Sequence, residues 1–228
     1  AELFPSFTGI SHARKYGKKW MKPRRASISA LYMPAHNEIQ PQPLGVVGIM
    51  VPWNYPLFLA VGPIIDALTA GNRVMVKMSE AAPKFAQAFA EAVARYFSQD
   101  MVCVVLGEVD IAQEFSKLPF DHLLYTGSTA VGKKVMAAAA PNLTPVTLEL
   151  GGKSPVIVLN GANLESAVNR VMMGKTLNAG QTCIAPDYVL VQRKDHEAFI
   201  RLAKEWMDKH YPNIADNPDY SRIINNQQ

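Results

Sequence analysis

From Gly45 to Leu150 the chain alternates short β-branched apolar runs with helical stretches, and this limits the fold more than any other feature. "GVVGIMV" (45–51), "RVMVKM" (73–78), "MVCVVLG" (101–107), "HLLYTG" (122–127) and "PVTLEL" (145–150) have the length and residue types of strands. Between them, "PLFLAVGPIIDALTAG" (56–71) reads as a helix closed by Gly71, with a kink expected at Pro63. "PKFAQAFAEAVARYF" (83–97) places Phe85, Phe89, Val93 and Phe97 four residues apart, with Pro83 tolerated in the first turn. "STAVGKKVMAAAA" (128–140) is a further helix. Strands spaced by helices require crossover connections, so the expected class is α/β: a mostly parallel sheet with helices on both faces. "SPVIVL" (154–159), a helix near 163–176, "DYVLV" (187–191) and a helix near 195–209 begin a second α/β unit. The expected division is therefore 1–44, 45–150 and 151–228, the last of these incomplete.

Charge is concentrated at one end. Seven of the 23 Lys and Arg residues lie in "RKYGKKWMKPRR", and residues 1–25 hold one acid, Glu2. That leaves 16 basic against 18 acidic residues over 26–228. Such a segment, with Tyr16 and Trp20, has the chemistry to meet nucleic acid through phosphates and stacking. No nucleic-acid motif accompanies it, and Leu3, Phe7, Ile10, Ala13 and Trp20 mark an apolar stripe at helical spacing. A solvated helix face is the preferred reading, with no nucleic-acid partner. Residues 26–44 look like extended, hairpin-prone chain that needs a partner surface. No apolar run approaches the ~20 residues of a membrane span, and no signal peptide is visible. The two cysteines, Cys103 and Cys183, form no disulfide framework or zinc spacing, which points to a reducing, cytoplasmic setting without a metal. Cys103, inside a strand-like run, reads as core filler.

Ligands on parallel sheets collect beyond the carboxyl ends of the strands, and the polar residues of this chain fall there. The first strand runs into "PWNYP", where Asn54 is either a cap or an amide donor to a developing oxyanion. The second ends "VKMSE", where Lys77 and Glu80 are either a surface pair or a grip on ribose hydroxyls. The fourth ends "YTGSTAVG": Gly127 permits a tight turn, and Ser128 and Thr129 open a helix whose N-terminus suits a phosphate. The generic GxGxxG pattern is absent. The fifth ends "TLELGGKSP", with Glu149 inside an apolar run. A partly buried carboxylate there would have a raised pKa and the making of a general base, unless a basic neighbour pairs with it. Cys183 follows in the loop-like "NAGQTCIAP".

"PWNYP", "KMSE", "YTGSTAVG", "LELGGKSP" and "GQTC" occur in the order and approximate spacing of the aldehyde dehydrogenase superfamily. With "KKWMKPRR" and "LPFDHLLYTGS", the chain most resembles the coniferyl aldehyde dehydrogenases within it. The resemblance implies a Rossmann-like dinucleotide-binding domain over 45–150, the first part of a catalytic domain over 151–228, and an oligomerisation-type arm within 1–44. It implies that Cys183 is the nucleophile, Glu149 the general base, and Asn54 the oxyanion donor together with the Cys183 N–H. Lys77 and Glu80 match the adenosine-ribose contacts, Ser128 the pyrophosphate contact, Val131 a packing position and Leu150 the backbone holding the nicotinamide amide. Trp53 shares the cofactor-side loop. Met78 stands where proline is common in the family.

The implied reaction is NAD(P)-dependent oxidation of an aldehyde, aromatic as in the coniferyl enzymes, to an acid. Glu149 argues against acyl transfer to coenzyme A, and the Glu80 carboxylate favours NAD over NADP. The implied assembly is a homo-oligomer. Family members are considerably longer, and the downstream "EIFGP"-type motif is missing. The chain is thus expected to be a fragment that binds NAD weakly and turns over little aldehyde. The competing reading is a non-catalytic fragment that retains only nucleotide binding.

Overall fold

Beyond an N-terminal helix, α1 (Leu3–Trp20), and a short antiparallel pair, β1 (Arg24–Ala26) with β2 (Asn37–Ile39), the chain alternates strand and helix. The computed structural model describes residues 2–226. The alternation runs β3 (Val46–Met50), α2 (Phe58–Thr69), β4 (Arg73–Lys77), α3 (Pro83–Tyr96), β5 (Val102–Val105), α4 (Val109–Ser116), β6 (His122–Gly127), α5 (Thr129–Ala139) and β7 (Val146–Leu150). It continues with β8 (Ser154–Ile157), α6 (Leu164–Thr176), β9 (Pro186–Leu190) and α7 (His196–His210). The chain divides into two compact units between Glu149 and Leu150. Among the described residues, no helix is long and apolar enough to cross a membrane.

The first unit is an α/β layer structure built on a five-stranded sheet of order β5-β4-β3-β6-β7. β3 pairs in parallel with β4 and β6, and β4 with β5, so that Met50 lies beside both Lys77 and Tyr125, and Lys77 beside Val105. The strands therefore end level. Strand order runs outward from β3 in one direction and reverses at β6. Right-handed crossovers then put the helices of the two halves on opposite faces. The start of β7 lies against the start of β6, where the Leu123 N–H donates to Pro145 O (2.9 Å). Ile49, Val74, Val76 and Ala60 form the core, with Phe85 and Phe89 of α3 packed against it.

Local chemistry explains most boundaries. Gly71 follows α2 with φ +88°, a left-handed conformation that glycine adopts without penalty. Its N–H and that of Asn72 return to Leu68 O and Ala67 O. The buried Asn72 side chain accepts from the N–H groups of Leu44 (2.6 Å) and Gly45 (3.0 Å), which fixes the chain ahead of β3. Pro63 sits inside α2 and does not end it.

Three features differ from the sequence reading. α4 was not anticipated. A parallel β5-to-β6 connection needs a crossover of a dozen residues or more, and this short helix supplies it, burying Phe115. Of the expected apolar stripe of α1, Ala13 alone lies on the packed face. Leu3 (64% exposed), Phe7 (65%), Ile10 and Trp20 are exposed, while Ser6, Ala13 and Gly17 are buried. The reason is close helix approach: a Cβ added at Gly17 would lie 2.7 Å from Thr69 Cγ2 of α2, so only small residues fit that face. Cys103 is half-buried, because β5 is an edge strand of the sheet.

The second unit contains a parallel β8–β9 pair joined through α6, with Val156 beside Val189 and Ile157 beside Leu190. Val158, Val168, Val171 and Ala185 are buried, whereas Ile157, Leu159, Tyr188 and Leu190 are exposed.

Candidate active site

Adjacent strands whose connections leave in opposite directions open a crevice between them at the carboxyl edge. In the first unit this switch point lies between β3 and β6. The turn after β3 carries Trp53 and Asn54, both half-buried. The Val51 N–H still bonds to Lys77 O (3.0 Å), after which Pro52 and Pro56 bracket the turn. The Asn54 Oδ1 accepts from the Tyr55 N–H (3.1 Å).

Across the switch point, Ser128 caps α5. Its Oγ accepts from the Val131 N–H (3.3 Å), and Val131 itself is exposed. Gly127 is required for packing rather than for an unusual backbone angle: an added Cβ would collide with the hydroxyl of Tyr125. Burial pushes the Tyr125 hydroxyl pKa up, against the lowering effect of its contact with Ser128.

Lys77 and Glu80 are not a surface pair. Lys77 is 3% exposed, and its Nζ donates to Met78 O (2.7 Å) and Gly107 O (2.8 Å), with the Glu80 carboxylate 3.9 Å away. Two carbonyls and a carboxylate thus hold a desolvated ammonium at the ends of β4 and β5. Beside it, Met78, Ser79, Glu80, Pro83, Leu106, Gly107 and Glu108 line a slot of about 150 Å³. That is below the ~300 Å³ at which whole-ligand pockets begin, so the slot has room for no more than part of a ligand of that class. Gly107 and Glu108 were missed by the sequence reading. They follow β5, and the strand-end rule that singled out Lys77 applies to them equally.

Burial holds the Lys77 pKa below the ordinary lysine value of 10.5, while Glu80, Glu108 and Asp110 pull it back up. The folded protein therefore binds fewer protons than the unfolded chain in the window just below that value, and stability contributed by this group rises with pH there. In paired urea titrations, wild type should gain stability relative to Lys77→Met as pH climbs towards 10.5. Parallel pH profiles for the two proteins would contradict the burial.

Glu149 corrects another expectation. It is exposed, and the partly buried environment inferred from its apolar neighbours is absent. β7 is an edge strand with strict alternation: Val146, Leu148 and Leu150 are half-buried, Thr147 and Glu149 exposed. The carboxylate is open to water, at the carboxyl end of its strand.

Leu150 begins the second unit, which also holds Cys183. Cys183 is a free, exposed thiol in a turn between Gly180 and β9. The backbone ahead of it is unusual: Asn178 (φ 51°), Ala179 (φ 54°) and Gly180 (φ 76°) are consecutively left-handed. For Ala179 this conformation costs about 1–2 kcal/mol, a strain typical of functional turns. The Gln181 side chain offsets it. Its Nε2 donates to Asn178 O (2.9 Å) and Arg222 O (3.0 Å), and its Oε1 accepts from the Ile224 N–H (2.9 Å). This clamp was not legible in the sequence, since one of its anchors lies 43 residues away.

The chain is similar to known proteins. The model of the aldehyde dehydrogenase family matches residues 6–227. A probable coniferyl aldehyde dehydrogenase of Pseudomonas aeruginosa is 57% identical over 228 residues, all of this chain and 48% of the relative. The substrate-bound structure of Staphylococcus aureus AldH superposes with a TM-score of 0.94 at 40% identity, over 98% of this chain and 49% of that one. The Mycobacterium tuberculosis aldehyde dehydrogenase complexed with NAD+ gives a TM-score of 0.84 at 30% identity, over 99% and 47%. The chain thus spans about half the length of the relatives it matches. With strand-end residues and an exposed cysteine turn in place, and a family match over nearly its whole length, this chain belongs to the aldehyde dehydrogenase family.

Proposed function

We infer that the protein oxidises an aldehyde to a carboxylic acid with a nicotinamide dinucleotide, through a thioester on Cys183. The carrying observation is the exposed Cys183 thiol, held in a clamped, strained turn of a chain in this family. Cysteine is an intrinsically strong nucleophile, and exposure lets a carbonyl reach it. The S–H proton passes to solvent as the sulfur adds to the aldehyde carbon, and the charge that develops on oxygen is met by the Asn54 amide and the Cys183 N–H. A nicotinamide dinucleotide, held by Lys77, Glu80 and Ser128, would supply the hydride acceptor that this oxidation needs. Glu149 then takes a proton from water as it attacks the thioester carbon, the C–S bond breaks, and the thiol is restored as the acid leaves. A carboxylate in that position favours hydrolysis over acyl transfer to coenzyme A.

The first unit's residues fit a dinucleotide. The slot beside Lys77 accepts one flat end, with Lys77 and Glu80 at the adenosine ribose. The α5 N-terminus at Ser128 suits the pyrophosphate. Trp53, Val131 and Leu150 contribute loop, packing and backbone positions. Glu80 repels a 2′-phosphate, which favours NAD over NADP. The likeness to the coniferyl enzyme supports an aromatic aldehyde as substrate. The exposed apolar side of α1 supplies surface for a homo-oligomer, and the two free thiols suit the cytoplasm.

The test is to mix the protein with NAD and an aromatic aldehyde, then locate acyl mass by peptide mass spectrometry. One NADH per acyl group, with the label on Cys183, is expected. Dinucleotide binding without any adduct would instead support the competing reading of a nucleotide-binding fragment.

A further inference from the structure

The first turn of α2 contains N–H groups with no partner of their own in the helix. Pro56 has none to offer, and the Leu59 N–H returns to Tyr55 O (3.0 Å). The N–H groups of Leu57 and Phe58 both donate to one oxygen from far away in sequence, Oε2 of Glu2, at 2.7 and 2.9 Å. The helix has no local side-chain cap. A carboxylate at this end also meets the positive pole of the helix dipole. Glu2 stands directly before α1, which lies along α2, and near the other end of α2 Gly17 packs against Thr69. α1 thereby ties α2 at both ends.

The turn held by this contact is the one that carries Asn54, three residues before Leu57. We propose that Glu2 is a positioning residue: its carboxylate anchors the start of α2 and so fixes the Pro52–Pro56 turn that aims the Asn54 amide. The consequence for rate rests on the reading of Asn54 as oxyanion donor. The anchoring itself does not.

The test compares Glu2→Ala, which removes the accepting oxygen, with Glu2→Gln, which keeps a carbonyl oxygen there. Amide exchange at Leu57 and Phe58, followed by NMR, should accelerate about two- to thirtyfold in Glu2→Ala, the range of a lost helix cap. The Asn54 side-chain amide signals should shift or broaden in the same variant, and Glu2→Gln should restore both readouts substantially. In aldehyde oxidation, Glu2→Ala should lower kcat by up to about tenfold through misplacement of the donor, with KM for the dinucleotide unchanged. Unchanged exchange at both amides, or Asn54 signals identical to wild type, would overturn the proposal. If Asn54→Ala leaves the rate intact while exchange and signals respond to Glu2→Ala, the oxyanion role has failed and the anchoring role stands.

Discussion

Cys183→Ala should lower aldehyde oxidation by on the order of 10⁴-fold or more, the scale seen when an enzyme loses its nucleophile, while dinucleotide binding is retained. The separation follows from where the residue sits. Cys183 is exposed, in the second unit, whereas the slot beside Lys77 and the Ser128 cap belong to the first. An exposed side chain contributes little packing, so the substitution should shift stability by only about 0.5 kcal/mol. NADH formation read by absorbance, with dinucleotide titration alongside, measures both quantities. Cys103→Ala is the matched control: that thiol is half-buried on edge strand β5 and should leave the rate as it was. Wild-type turnover in the Cys183 variant would place the nucleophile elsewhere.

Glu149→Gln should separate the two halves of the reaction. Gln matches the carboxylate in size but cannot accept the proton of an attacking water. Thioester hydrolysis should slow by about 10²- to 10⁴-fold, the usual worth of a general base, while acylation proceeds. The progress curve then shows a burst of one NADH per protein followed by a slow phase, and the acyl-enzyme accumulates to a detectable mass. The exposure of Glu149 gives this experiment its edge. A carboxylate already open to water needs no conformational opening, so the slow phase should report the loss of the base itself. Linear turnover at the wild-type rate would remove Glu149 from the chemistry.

Strand and helix positions were legible because their signals are local. β3, β4 and β6 begin and end within a residue or two of their apolar runs, and α3 starts at Pro83, which the first turn of a helix tolerates. Local reading failed where the outcome depended on what lay opposite. α1 has two chemically plausible faces, and α2 selects the one bearing Gly17 because only that face allows close approach. Glu149 sits among apolar residues in sequence, yet in an edge strand every second residue looks outward. Lys77 resembled an ordinary surface lysine until β5 brought Gly107 O to within 2.8 Å of its ammonium.

Residue order alone dictated an α/β chain with its polar groups gathered after the strands, because hydrophobic period and turn chemistry act over a few neighbouring positions. Tertiary packing decided which strands became neighbours, and so put the reversal between β3 and β6 beside Asn54 and Ser128. It also decided that Lys77 is enclosed, that Glu149 is not, and that Glu2 reaches an N–H 55 residues along the chain. Contacts at such separations follow from which surfaces meet, and no short window of sequence contains that information.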